Sequence, residues 1–98
     1  MNLVRKYQLK PTKRYKKDLK RLQKKHIDLG PLNIVLNLLA DGKVLPERYR
    51  DHALSGDLKH ARECHIGPDW LLLYIKDNDQ LLLLLISTGD HRQTLGIE

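Results

Sequence analysis

A chain of 98 residues with 41% hydrophobic and 31% charged side chains makes one domain with a single modest core, too small for a multidomain machine and too apolar for a disordered tail. Its net charge of +6 is unevenly spread: residues 1–25 hold eleven Lys/Arg against Asp18 alone (+10), and residues 26–98 hold seven against eleven acids (−4). A cationic end of that density attracts a polyanion, whereas one cysteine excludes a disulfide framework and fits a reducing cytoplasm.

Residues 3–9 read as a first strand with Leu3, Tyr7 and Leu9 on one side, ended by Pro11. Thr12 is a suitable N-cap for a helix in which Tyr15, Leu19, Leu22 and His26 form a narrow apolar stripe. Lysines and arginines fill the rest of its circumference. Asp28-Leu29-Gly30-Pro31 stops this helix and starts a second over about residues 31–40, closed by Asp41-Gly42. Leu32, Val35, Leu36 and Leu39 make its inner face. Ile34 and Leu38 lie off that face, a surplus that means deep burial, the default, or a partner surface. The short link predicts an antiparallel helical hairpin.

Residues 43–58 read as a loop that contains His52. Residues 59–66 read as a strand with Arg62, Cys64 and Ile66 on one face and Ala61, Glu63 and His65 on the other. Gly67-Pro68-Asp69 turns into a strand over 70–76, and Asp77-Asn78-Asp79 turns that into a strand over 80–87. The apolar runs at residues 71–75 and 81–86 are far too short to span a bilayer, and no secretory-type apolar stretch opens the chain. The expected fold is α+β: a two-helix hairpin packed on a small antiparallel sheet in the order β-α-α-β-β-β, one domain over residues 1–98.

In an up-down-up meander the end of the first of these strands, the start of the second and the end of the third share one rim. His65, Asp69, Trp70 and His91 therefore come together, while the loop leaves His52 unplaced. Imidazole titrates near neutral pH, with an unperturbed pKa of ~6.5. Histidines beside a carboxylate can supply the base for a 2′-hydroxyl and the acid for a leaving 5′-oxygen, which is how RNA is cut without metal. Cations around the phosphate stabilise the developing charge, and a rim tryptophan can stack on a base. Nothing has metal-ligand spacing: there is no Cys-x-x-Cys and no His-x-x-x-His, and Cys64 and His65 face opposite ways. His26 and His60 read as structural or surface residues, and Cys64 as a small buried apolar one. Motifs for ATP, dinucleotides and serine esterases are missing, so no cofactor is expected. Charge alone fits a second reading equally, a non-catalytic basic module that docks on RNA or on an acidic partner. The pair of titratable groups at one rim separates the two, because docking does not require it.

Tyr49-Arg50-Asp51-His52-Ala53-Leu54, Gly56, the run from Arg62 through His65, Pro68, Asp69 and Trp70 to Tyr74, and Thr88-Gly89-Asp90-His91 resemble the YafQ branch of the RelE/ParE toxin superfamily. The resemblance spans nearly the whole chain in unchanged segment order. It implies a RelE-like fold and a bacterial, cytoplasmic, ribosome-dependent mRNA endonuclease that cuts in the A site without metal, through attack of the 2′-hydroxyl. It also implies a DinJ/RelB-type antitoxin partner, the 70S ribosome and mRNA as targets, operator DNA bound only through the antitoxin complex, and no membrane.

Carried to matching positions, His52, His65, Asp69 and His91 surround the scissile phosphate. His91 is the candidate general acid, Asp69 the first candidate base and His52 the second, with the assignment between coupled groups open. His65 and Arg62 orient the phosphate, and Trp70 helps hold the mRNA. Lys13, Arg14, Lys16, Lys17, Lys20, Arg21 and Lys24 of the first helix grip ribosomal RNA. A ParE-like gyrase-binding toxin is the third reading, and that branch generally lacks this set of residues. One departure stands out: the family often has an aromatic residue where this chain has Leu95, and leucine cannot supply the ~1–3 kcal/mol of a stacked base. Weaker mRNA positioning at Leu95 is expected, unless packing is supplied elsewhere.

Overall fold

A computed structural model describes residues 5–54 and 60–95. Strand β1 (Gln8–Pro11) leads into helices α1 (Lys13–Lys24) and α2 (Gly30–Ala40). After a single 3₁₀ turn (Glu47–Tyr49) come β2 (His52–Ala53), β3 (Ala61–Gly67), β4 (Trp70–Asp77), β5 (Leu82–Gly89) and a short helix α3 (His91–Leu95). The predicted order β-α-α-β-β-β is present, with β2 and α3 added to it. The five strands lie in the order β1-β5-β4-β3-β2, and β2 to β5 form the expected antiparallel meander.

Two boundaries differ from the sequence reading. The first strand starts at Gln8 and pairs parallel to β5, Gln8 opposite Leu82, so the sheet is mixed and not wholly antiparallel. Leu3, expected in that strand, lies outside the described residues. His52, expected in a free loop, sits on β2 directly opposite Glu63.

Local chemistry sets the helix ends. Thr12 is extended, its Oγ1 accepts the Tyr15 N–H at 3.1 Å, and its own N–H donates to the Leu85 carbonyl at 3.0 Å. One residue thus caps α1 and ties it to β5. Thr12→Ala is expected to cost about 0.5–2 kcal/mol, read as a lower urea midpoint at unchanged slope; an unmoved midpoint would deny the cap any role in stability. At the other end His26 takes a left-handed φ of 60°. Its N–H bonds the Gln23 carbonyl at 3.0 Å, and the Ile27 N–H bonds that of Leu22 at 3.1 Å. This is a Schellman stop, so His26 ends the helix exposed to solvent and does not extend the apolar stripe. Gly42, at φ 77°, stops α2 in the same way, with the Gly42 and Lys43 N–H groups on Leu39 and Leu38.

The core lies between the two helices and one sheet face, with Tyr15, Leu32, Val35, Leu39, Leu72 and Tyr74 at its centre. Leu38 packs against it from the side, but Ile34 is 54% exposed, against the default expectation of burial. Cys64 is fully buried, and burial pushes its thiol up to about 12, so it is a packing residue and not a nucleophile. Asp18, the one acid of the basic helix, is buried too. It accepts from Ser87 Oγ at 2.5 Å and the Thr88 N–H at 3.1 Å, and pairs with Arg21 at 3.0 Å. Among the described residues no helix is long and apolar enough to cross a membrane.

Candidate functional site

Three chain reversals build the rim. A register shift between His65 and Gly67 ends β3, the tight Pro68-Asp69 turn leads into Trp70, and β5 ends in Gly89 just before α3. Asp69 thereby reaches His91: its Oδ1 lies 3.0 Å from His91 Nδ1 and 3.4 Å from the His91 backbone nitrogen. Those bonds hold the Asp69 carboxyl below the usual carboxylate range. Both groups are exposed to solvent, and Nδ1 of His91 is the ring nitrogen that Asp69 engages.

The other half of the site comes from β2 and β3. His52 and His65 lie on the sheet face opposite the helical core and converge on Glu63. Its Oε1 lies 3.3 Å from His52 Nε2 and 3.7 Å from His65 Nε2. Glu63 is 5% exposed, and its Oε2 has no hydrogen-bond partner among the described residues. An unmet buried acceptor costs about 1–3 kcal/mol. Sequence reasoning does not single out Glu63, although the two-residue alternation puts it on the His65 face. His52 Nδ1 meets the Arg50 carbonyl at 2.7 Å, and a left-handed φ of 50° at Arg50 presents that carbonyl. The three rings form a row, with His65 6.3 Å from His52 and 5.9 Å from His91 between centroids. Burial, then the Arg50 charge, lowers the His65 pKa and favours its neutral form.

His52, His65, Asp69 and His91 are thus brought together, His52 by a strand pairing that a two-residue segment cannot announce. Trp70 is at the rim but half-anchored: its indole N–H donates to Thr88 Oγ1 at 2.9 Å, and the ring packs on the core. Its outer edge lines a hollow with Asp69, Asp90 and Lys25, the residue that follows α1. Arg62 is not brought to the rim. It points to the other face, where it binds Asp51 at 3.1 Å, and Tyr74 Oη donates to the same carboxylate at 2.7 Å. It therefore braces the β2–β3 corner through Asp51. Leu95 closes α3, and its side chain lies outside the described residues.

On α1, Lys13, Lys16, Lys17, Lys20 and Lys24 are exposed or half-buried at the surface, as expected. Arg14 is exposed and donates to the Thr94 carbonyl, and half-buried Arg21 bonds Asp18. The outward cationic face is therefore built mainly of lysines, with Lys25 following at its end. Among the described residues no three His, Cys, Asp or Glu side chains converge on a metal position.

The family model for the YafQ toxin of bacterial type II toxin–antitoxin systems matches residues 7–96. The mRNA interferase toxin YafQ of Escherichia coli K12 is 41% identical over 83 residues, covering 84% of this chain and 88% of that protein. A chain in the crystal structure of the E. coli DinJ–YafQ toxin–antitoxin complex superposes with a TM-score of 0.80 at 36% identity, covering 88% of this chain and 93% of that one. A metal-bound toxin from Helicobacter pylori superposes at 0.83 with 39% identity, covering 89% and 97%.

Proposed function

This chain belongs to the YafQ family of bacterial type II toxins, and from that premise we propose that it is an endoribonuclease that cuts mRNA on the ribosome. A cognate antitoxin of the DinJ/RelB type holds it in check, and operator DNA is reached only through that complex. The observation that carries the catalytic reading is the His65–His91 pair on one rim, with ring centroids 5.9 Å apart, His91 backed by Asp69 and His65 sharing Glu63 with His52. That spacing suits a phosphate held between a proton acceptor and a proton donor.

In this mechanism neutral His65 takes the 2′-hydroxyl proton, the 2′-oxygen attacks phosphorus, and the 5′-oxygen leaves with a proton from His91. The products are a 2′,3′-cyclic phosphate and a 5′-hydroxyl. Asp69 acts on His91 by fixing its orientation, in place of the base role that the resemblance implies for it. His52, with Nδ1 on the Arg50 carbonyl and Nε2 on Glu63, fixes the Glu63 carboxylate beside His65. Trp70 buttresses the mRNA from the far side of Asp69.

Primer extension on a defined mRNA in a purified translation system tests the reading. Cuts at A-site codons are expected only when ribosomes are present. A folded protein that binds ribosomes and makes no cuts would be a non-catalytic docking module, and arrest of replication without arrest of translation would point to gyrase. The lysine face is tested separately. Lys16, Lys17, Lys20 and Lys24 all replaced by Glu should weaken ribosome binding steeply and reduce its log–log salt slope by roughly 0.7–0.9 for each phosphate no longer neutralised. Unchanged binding would assign that face to the antitoxin or to solubility.

A further inference from the structure

Beside His65, the surface opens into a hollow of about 410 Å³, within the roughly 300–1,000 Å³ typical of small-ligand sites. Its walls are the start of α2, the 3₁₀ turn and the β3–β4 hairpin. Pro31, Ile34 and Pro68 make an apolar shelf, and Arg48 and Arg50 stand over it. His65 lines the same hollow, so it is continuous with the acid–base row.

We propose that this hollow is the subsite for one nucleotide of the cut strand, adjacent to the scissile phosphate, and that Ile34 and Arg48 determine which base is accepted there. The proposal rests on the reading of the chain as an RNA-cutting enzyme and names where that enzyme selects its sequence.

Three observations support a nucleotide as the occupant. First, Ile34 is 54% exposed and lines the hollow with Pro31 and Pro68, which gives a flat base an apolar surface to lie on. Second, the Arg48 guanidinium is pre-set as a stacking plate. It lies 4.6 Å from the Tyr49 ring centroid and donates to Tyr49 Oη at 3.0 Å, which fixes its plane before any ligand arrives. Arginine planes of this kind stack on splayed RNA bases. Third, charge and position agree. The left-handed Arg50 lies between Arg48 and His52, so one short segment carries both the cations over the hollow and the carbonyl that holds His52. A strand whose phosphate sits between His65 and His91 has its next nucleotide in reach of the shelf, with its own phosphate facing two arginines.

The test maps cut sites for the parent, Ile34→Glu and Arg48→Gln in a translation extract, alongside binding of all-2′-O-methyl A6, C6, G6 and U6 oligonucleotides, which cannot be cut. Both changes are at the surface, and thermal melting together with antitoxin binding checks that each variant is folded. The expected result is a loss of about tenfold in oligonucleotide affinity, the scale of one lost base stack. The preference for the nucleotide beside the cut should flatten with it. Variants that keep the parent's cut sites, their relative frequencies and its oligonucleotide affinity would overturn the subsite while leaving the nuclease reading intact. Loss of antitoxin binding with unchanged cut sites would also overturn it, and would make the hollow a protein anchor. A parent that makes no cuts anywhere would remove the nuclease reading itself, whatever the variants do.

Discussion

His91→Ala is expected to lower ribosome-dependent cleavage by about 10²–10⁴-fold, the range spanned by a single positioned acid, while leaving fold and antitoxin binding intact. His91 is exposed at the start of a short helix, and its side chain bonds Asp69 at the surface. Removal of the ring therefore costs chemistry and little packing. Primer extension on the same mRNA reads the loss; equal cutting by parent and variant would take His91 out of the mechanism.

The pH profile sharpens the assignment. His65 must be neutral to accept a proton, and burial and Arg50 lower its pKa. A lowered pKa keeps the base available to more acidic solution, so the acid limb of the rate profile should fall below the ordinary imidazole value of ~6.5. In His65→Ala that limb should disappear together with most of the rate. A profile whose acid limb stays in place in His65→Ala would move the base role to His52.

Asp18→Ala is expected to be the most destabilising single change on α1, at about 3–5 kcal/mol, from a domain whose total stability is of order 5–15 kcal/mol. The carboxylate satisfies the wholly buried Ser87 hydroxyl, the Thr88 N–H and the Arg21 guanidinium at once. Its removal leaves two donors inside the protein without an acceptor and a cation without its partner. Urea unfolding measures the cost. A midpoint within experimental scatter of the parent's would show that α1 is held by apolar contacts alone. Because Thr88 stands three residues before His91, the same change should also loosen the rim and raise the substrate concentration needed for half-maximal cutting.

Much of this arrangement is legible in the residues. Periodicities of 3.6 and 2 locate both helices and the three long strands within a residue or two at most ends, and meander topology places His65, Asp69, Trp70 and His91 at one rim. What escapes is long-range or hidden by type. The parallel pairing of Gln8 with Leu82 leaves no local period, and a two-residue strand such as His52–Ala53 has no alternation to detect. Asp18 reads as one stray acid among lysines, because its partners lie 69 and 70 positions away. The pairing of Arg62 with Asp51, eleven positions away, is equally invisible in the residue types. Glu63 is the one omission that the pattern itself could repair, since it shares a strand face with His65.

The pairing of β1 with β5 also bears on when the site assembles during synthesis. The basic helix leaves β1 at Thr12 and is bolted to β5 through Leu85, Ser87 and Thr88, while His91 follows β5 immediately. During vectorial synthesis the first helix therefore emerges long before the strand that anchors it. Neither the anchored cationic face nor the acid–base row can assemble until β5 has cleared the exit tunnel and closed a loop of more than seventy residues. The anchored cationic face and the acid–base row therefore appear together and late, once β5 has joined the sheet.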